Sequence, residues 1–141
     1  MPLVTRKRVL GAASVVIVLV ALFGQSIVFH LFPTFAFRHI TRRPVPPGVR
    51  ITAYESEVTD NLFHTTHYWM LTGSPSGLRQ VIVGTGFEES LEDALGMMPD
   101  LSELFGISLS STQVEAGYEW ELDRDRWYYI FAGETNALYA H

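Results

Sequence analysis

Asp60, His64 and His67 come closest to a chemical site, because carboxylate oxygens and imidazole nitrogens are common metal ligands. Their spacing argues against one shared ion. They fall on or beside a predicted strand, where residues three apart point to opposite faces of the sheet. Without a bulge, His64 and His67 therefore do not meet. We interpret both as ordinary strand histidines, expect no metal and no other cofactor, and keep Asp60, His64 and His67 as the weaker alternative site.

Other residues that could do chemistry form no local motif. Gly84-Thr85-Gly86 lacks the third glycine of a dinucleotide-binding loop and follows a predicted helix rather than a strand, so it is interpreted as a turn. The chain contains no cysteine, which excludes disulfides, thiolate metal sites and cysteine nucleophiles. A catalytic triad can still assemble from distant residues. The sequence therefore leaves enzymatic activity open and favours a non-enzymatic role.

Aromatic and charged residues concentrate in one predicted hairpin near the end of the sequence. Large aromatic side chains either fill a small core or form a recognition surface, since Tyr, Trp and Arg dominate binding hot spots. The alternation predicts that one set faces the core and the other faces outward. We expect the outward set to form a partner-binding surface: Tyr128, Arg126, Glu119 and Glu121.

Basic and acidic residues are unevenly distributed along the chain, and this limits the class of partner that the protein could bind. Residues 1–43 hold six basic and no acidic residues, whereas residues 44–141 hold four basic and all 15 acidic residues. An acidic domain repels nucleic-acid phosphates, so we expect no nucleic-acid partner. The basic flanks suit anionic lipid headgroups.

The elements that position these residues begin with a long apolar run. Residues 9–37 contain no Lys, Arg, Asp or Glu and exceed the ~20 apolar residues that a bilayer core requires. They predict a single transmembrane helix, kinked or ended at Pro33. The run continues past the small residues Gly24 and Ser26, where a signal peptide could be cleaved. We therefore expect an uncleaved anchor, with a secreted, cleaved domain as the alternative.

The charge on the two flanks is nearly balanced, so the positive-inside rule decides the orientation poorly. A short basic tail at residues 1–8 directly followed by an apolar run is typical of a signal anchor. It predicts a single-pass protein whose C-terminal domain lies outside the cytoplasm, in the periplasm or extracellular space. Residues 38–48, basic and rich in proline, predict a semi-rigid linker.

Residues 49–141 predict a small soluble α+β domain. The elements read in the order ββααβββ, which predicts an antiparallel sheet with helices on one face and the other face wet. We expect this domain to be an interaction, accessory or inhibitor module that binds a membrane or envelope protein. The alternative is a membrane-anchored enzyme or a small-ligand or metal-binding domain whose site is built from distant residues.

Overall fold

Six β-strands form one antiparallel sheet in the computed structural model of this chain, which describes residues 3–58, 65–106, 114–122, 125–133 and 136–141. The strands are β1 (Val49–Val58), β2 (Thr65–Gly73), β3 (Glu88–Glu89), β4 (Val114–Leu122), β5 (Asp125–Ala132) and β6 (Asn136–Ala140). The helices are α1 (Leu3–Leu31), α2 (Pro33–Thr41), α3 (Pro75–Gln80) and α4 (Leu91–Phe105). The sheet order is β1-β2-β6-β5-β4-β3. The predicted α+β class and antiparallel sheet are confirmed.

Helix α1 carries the apolar run. Within the part of the chain that is described, no single helix meets the length and hydropathy criteria of a membrane span. Gly11–Ala21 and Phe23–Leu31 meet these criteria only as a pair, and their axes are inclined at 54° to one another. The helix ends at Leu31, and Pro33 opens α2, where its missing N–H group costs no hydrogen bond.

One face of the sheet buries an aromatic core. Trp127, Tyr129 and Phe131 of β5 point to this side, as the alternation in the sequence predicted. Leu78 and Val81, from α3 and the turn after it, cover them. Helix α3 begins where a serine cap followed by proline predicts a start, and the amide of Gly77 donates to Ser74 Oγ at 3.2 Å.

The opposite face is covered as well, by α4. Ala94 is fully buried against Ile130, Leu138 and Ala140, which project from the second face of β5 and β6. The prediction of helices on one face and water on the other is therefore wrong. Gly117 allows this approach, because a Cβ atom at position 117 would overlap the Cβ atom of Ala94. The short strand β3 is an additional element that the predicted order ββααβββ lacks.

The junction between α1 and the sheet is packed. Phe29 of α1 is 4% exposed, and Phe37 of α2 is 1% exposed against Trp69 and Tyr139. Residues 38–41 are helical and belong to α2, although the sequence placed them in the linker 38–48. The guanidinium of Arg43 donates to the carbonyl oxygens of Val83 and Gly84, at 3.3 and 3.1 Å. The chain between helix and sheet is thus fastened to the domain.

Candidate functional site

The structure brings the four predicted partner-binding residues together on β4 and β5. In the register of these strands Glu119 lies opposite Tyr128, and Glu121 lies opposite Arg126. Arg126 Nε is 3.5 Å from Glu121 Oε2 and 3.9 Å from Glu119 Oε1. The side chains of Arg126 and Glu121 are 60% and 55% exposed, whereas that of Glu119 is 20% exposed. Tyr128 is half-buried, and a hydrogen bond to it raises the pKa of Arg126.

Glu119 also faces a carboxyl group from α4. Burial raises the pKa of Glu119, and a hydrogen bond with Asp93 raises it further. A hydrogen bond from the Ser90 hydroxyl lowers the pKa of Asp93, which is fully exposed to solvent. As the pH falls, Glu119 therefore takes up a proton before Asp93 does. Sequence analysis did not find Asp93, because only the packing of α4 against β4 brings it here.

Strand β3 completes an acidic groove along the edge of the sheet. Glu88 pairs with Glu119 and Glu89 pairs with Tyr118. The groove has a volume of about 410 Å³ and is lined by Gly86, Glu88, Glu89, Ser90, Glu119, Trp120 and Glu121. Glu88, Glu119 and Glu121 share one side of these strands, and their carboxyl groups suit a Lys or Arg side chain by charge, whereas Glu89 and Trp120 line the groove from the opposite side. Sequence analysis did not find the two glutamates of β3, because only the pairing of β3 with β4 brings them to this groove.

The weaker predicted site is not assembled in the described residues. Asp60 and His64 lie outside them, and His67 is on β2. The Tyr54 hydroxyl lies 2.8 Å from Nδ1 of His67. Burial lowers the pKa of His67 to about 4, and the nearby His141 lowers it as well. Across the residues that the structure describes, no group of three His, Asp or Glu side chains could hold a metal ion.

His67 instead belongs to an aromatic stack at the end of the sheet. Its ring is parallel to that of His141, with centroids 6.4 Å apart, and His141 stacks on Trp127 at 3.5 Å. The backbones of His67 and His141 exchange hydrogen bonds of 2.7 and 2.9 Å. Asp125 Oδ2 lies 3.8 Å from His141 Nε2 and opposes the lowering of the pKa of His141 by burial. Protonation of His67 and His141 in this stack is therefore coupled to the stability of the fold.

A cavity of about 1030 Å³ lies between the proline-rich segment and α3. Its lining includes Arg42, Arg43, Ser74, Ser76 and Gln80. Arg43 already donates to two backbone carbonyls, and the Ser74 hydroxyl caps α3. Arg43 and Ser74 thus hold the walls of this cavity together.

Comparison of the chain with protein-family models, with curated proteins and with solved structures found no match.

Proposed function

We propose that this chain is a single-pass membrane protein, anchored in the lipid bilayer through residues 9–37. Its sheet domain would be a non-enzymatic interaction or accessory module for a membrane or envelope protein. The observation that carries the proposal is the division of α1. Val15–Val20 are each between 49% and 68% exposed, whereas Phe29, near the end of the same helix, is 4% exposed in the core of the domain. Lipid is the solvent in which such an apolar helix surface is stable.

The packed junction supports a fixed attachment rather than a flexible tether. Phe29 contacts the ring of Tyr54 edge-on, with centroids 6.2 Å apart, and His30 Nε2 lies 3.5 Å from Glu55 Oε2. Phe37 fills the same core from α2. A domain held in this way presents its surfaces at a defined angle to α1.

The acidic groove is the surface that best suits a protein partner. It lies at the β3–β4 edge, whereas α1 packs at the β1 edge and Phe37 of α2 reaches β2 and β6, so the described lining of the groove includes neither helix. Glu121 and Arg126 beside it are exposed. Charge complementarity implies a basic segment on the partner, and such complementarity steers encounter and fixes register.

Topology is tested first, with single cysteines in this cysteine-free chain. Ser76→Cys and Asn136→Cys place exposed reporters on the domain, and a membrane-impermeant maleimide is applied to intact and to lysed cells. Labelling in intact cells is the expected result for a domain outside the cytoplasm. Labelling only after lysis would refute that orientation. Release of the protein from membranes by an alkaline carbonate wash would refute the anchor.

The partner surface is tested by photo-cross-linking in living cells. A photoreactive residue replaces Glu121 beside the acidic groove, and a matched one replaces Thr52, which is exposed on β1. We expect a discrete adduct from position 121 that disappears when Glu88 and Glu89 are changed to Gln. Equal adducts from both positions, or an adduct from position 121 that survives the glutamine changes, would refute the groove as the binding surface.

A further inference from the structure

A second groove lies where α1 meets α2. This elbow groove has a volume of about 820 Å³ and is lined by Leu31, Phe32, Pro33, Thr34, Phe35, Arg38, His39 and Arg42. Its walls combine exposed apolar rings with two guanidinium groups. None of the described residues that line it is acidic. The lining therefore differs in kind from that of the acidic groove at the β3–β4 edge.

The apolar walls are continuous with the exposed surface of α1. Leu31 and Phe32 are 68% and 60% exposed, and Phe35 in the first turn of α2 is 52% exposed. The inner side of α2 is fully packed, with Ala36 at 0% and Phe37 at 1% exposure. Helix α2 is thus held by the sheet on one side and leaves an amphipathic side open at the end of the proposed span.

Neither guanidinium group has an anionic partner among the residues that the structure describes. Among the described residues, the ion pairs and hydrogen bonds of side chains involve neither Arg38 nor Arg42. Arg43, by contrast, is occupied by two backbone carbonyls. Arg38 and Arg42 occur one turn apart on α2 and at its end, which places both groups beside the same cavity.

Arg42 occupies a backbone position that favours glycine. Its φ of 59° and ψ of 21° are left-handed, and it is the one non-glycine residue with positive φ among the residues described. A helix commonly ends in this conformation, and the residue there is usually glycine, which adopts it without steric penalty. An arginine at this position is explained if its side chain has a task that offsets the strain.

We propose that the elbow groove binds the headgroup of an anionic glycerophospholipid. The phosphate accepts charge-assisted hydrogen bonds from Arg38 and Arg42, and the glycerol and upper acyl chains lie along Phe32 and Phe35. The apolar walls and their continuity with α1 favour a lipid over free phosphate. This inference rests on the proposed membrane anchor, because the groove lies at the end of the helix assigned to the bilayer.

The full-length protein, purified in an uncharged detergent, is titrated with phosphatidylglycerol and examined by native mass spectrometry. Phosphatidylcholine with the same acyl chains and inorganic phosphate are the comparison ligands. We expect one retained phosphatidylglycerol per chain. Arg42→Gly should weaken its binding about tenfold, as the loss of one charge-assisted hydrogen bond implies. Arg38→Ala should act in the same direction, and Arg79→Ala, which removes an exposed arginine on α3, should leave binding unchanged.

Arg42→Gly is the decisive variant, since glycine relieves the backbone strain while removing the side chain. Its domain should remain folded, as judged by tryptophan emission, so that lost binding cannot be ascribed to unfolding. Unchanged binding in Arg42→Gly, an equal loss in Arg79→Ala, or equal binding of inorganic phosphate would each overturn the headgroup site. Retention in phosphatidylcholine vesicles after a carbonate wash tests the anchor separately. A protein that is retained but shows no preference for phosphatidylglycerol refutes the headgroup site alone.

Discussion

Acidification should destabilise the sheet domain through His67. Burial lowers the pKa of His67 in the folded protein to about 4, from an ordinary value of 6.5. The unfolded chain therefore binds a proton between these two values while the folded chain does not. Stability is fully present above pH 6.5 and is lost as the pH falls toward about 4. The Tyr54 hydroxyl and Nδ1 of His67 share a hydrogen bond of 2.8 Å, whose donor depends on the tautomer of the neutral ring.

The expected loss follows from the difference between the two pKa values. A difference from 6.5 to about 4 corresponds to at most ~3 kcal/mol of unfolding free energy. Because the His67 ring is only partly buried, solvent screening reduces this figure, and we expect a loss of ~2 kcal/mol. Burial also lowers the pKa of His141, which adds to the loss, while Asp125 opposes it.

Urea unfolding of the full chain in detergent, followed by tryptophan emission, measures this loss. All three tryptophans, Trp69, Trp120 and Trp127, lie in the sheet, so the signal reports the domain rather than α1. His67→Phe retains an aromatic ring for stacking but cannot titrate. It should lower stability at neutral pH by ~1 kcal/mol, through the lost hydrogen bond to Tyr54, and flatten the dependence on pH.

The comparison between the two proteins isolates His67, because the other four histidines are present in both: His30, His39, His64 and His141. Parallel curves of unfolding free energy against pH would refute the reasoning, since they would mean that His67 binds its proton equally in the folded and unfolded chains. His39→Gln, at an exposed position on α2, serves as the control and should retain the dependence on pH of the unaltered protein.

Three further substitutions test the packing, each by the same urea titration. Gly117→Ala should lower the unfolding free energy by ~1–3 kcal/mol, because the new methyl group overlaps the Cβ atom of Ala94. Non-additivity with Ala94→Gly would identify that overlap as the cause. Phe37→Ala should cost ~3–5 kcal/mol and Phe35→Ala less than ~1 kcal/mol, and equal costs would contradict the burial of Phe37. Arg126→Ala should leave the unfolding free energy nearly unchanged, because the ion pairs of Arg126 are exposed, and a clear loss would show that the residue supports the fold.

The strands with a clear alternation could be predicted from the sequence. Tyr118 and Trp120 alternate with Glu119 and Glu121, and the structure places the two pairs on opposite sides of β4. The start of α3 could also be predicted, because a serine cap followed by Pro75 favours a helix N-terminus through local interactions. Local chemistry was sufficient at these places.

The packing of α4 on the second face of the sheet could not be predicted in the same way. Leu138 lies between Ala137 and Tyr139 in β6, so this strand has no polar side to signal a wet face. Such a continuous apolar strand indicates burial on both faces, but it does not say which element supplies the cover. The helix α4 does so through Ala94 and Gly117, a small-residue contact with no periodic signal of its own.

For a related reason, the sequence does not show which part of the apolar run 9–37 is covered by lipid and which by protein. Hydropathy measures the cost of exposing a side chain to water, and that cost is the same whether lipid or protein replaces the water. Phe37 at the end of the run is buried by Trp69 and Tyr139 of the sheet, whereas Val15–Val20 have no protein cover. Because the sequence alone does not distinguish burial in lipid from burial in protein, it does not locate the boundary between span and domain within this run.

The position of that boundary bears on how the domain would engage a partner. The end of α1 packs against β1, Phe37 of α2 reaches β2 and β6, and the acidic groove lies at the β3–β4 edge of the sheet. With strands about 4.8 Å apart, two to five strand spacings, or roughly 10–24 Å, separate the groove from the junction. With Phe29 in the core, the sheet cannot swivel freely about the end of α1. A basic segment of a membrane partner would therefore have to meet the groove at this separation, which makes the distance from α1 a determinant of specificity alongside charge.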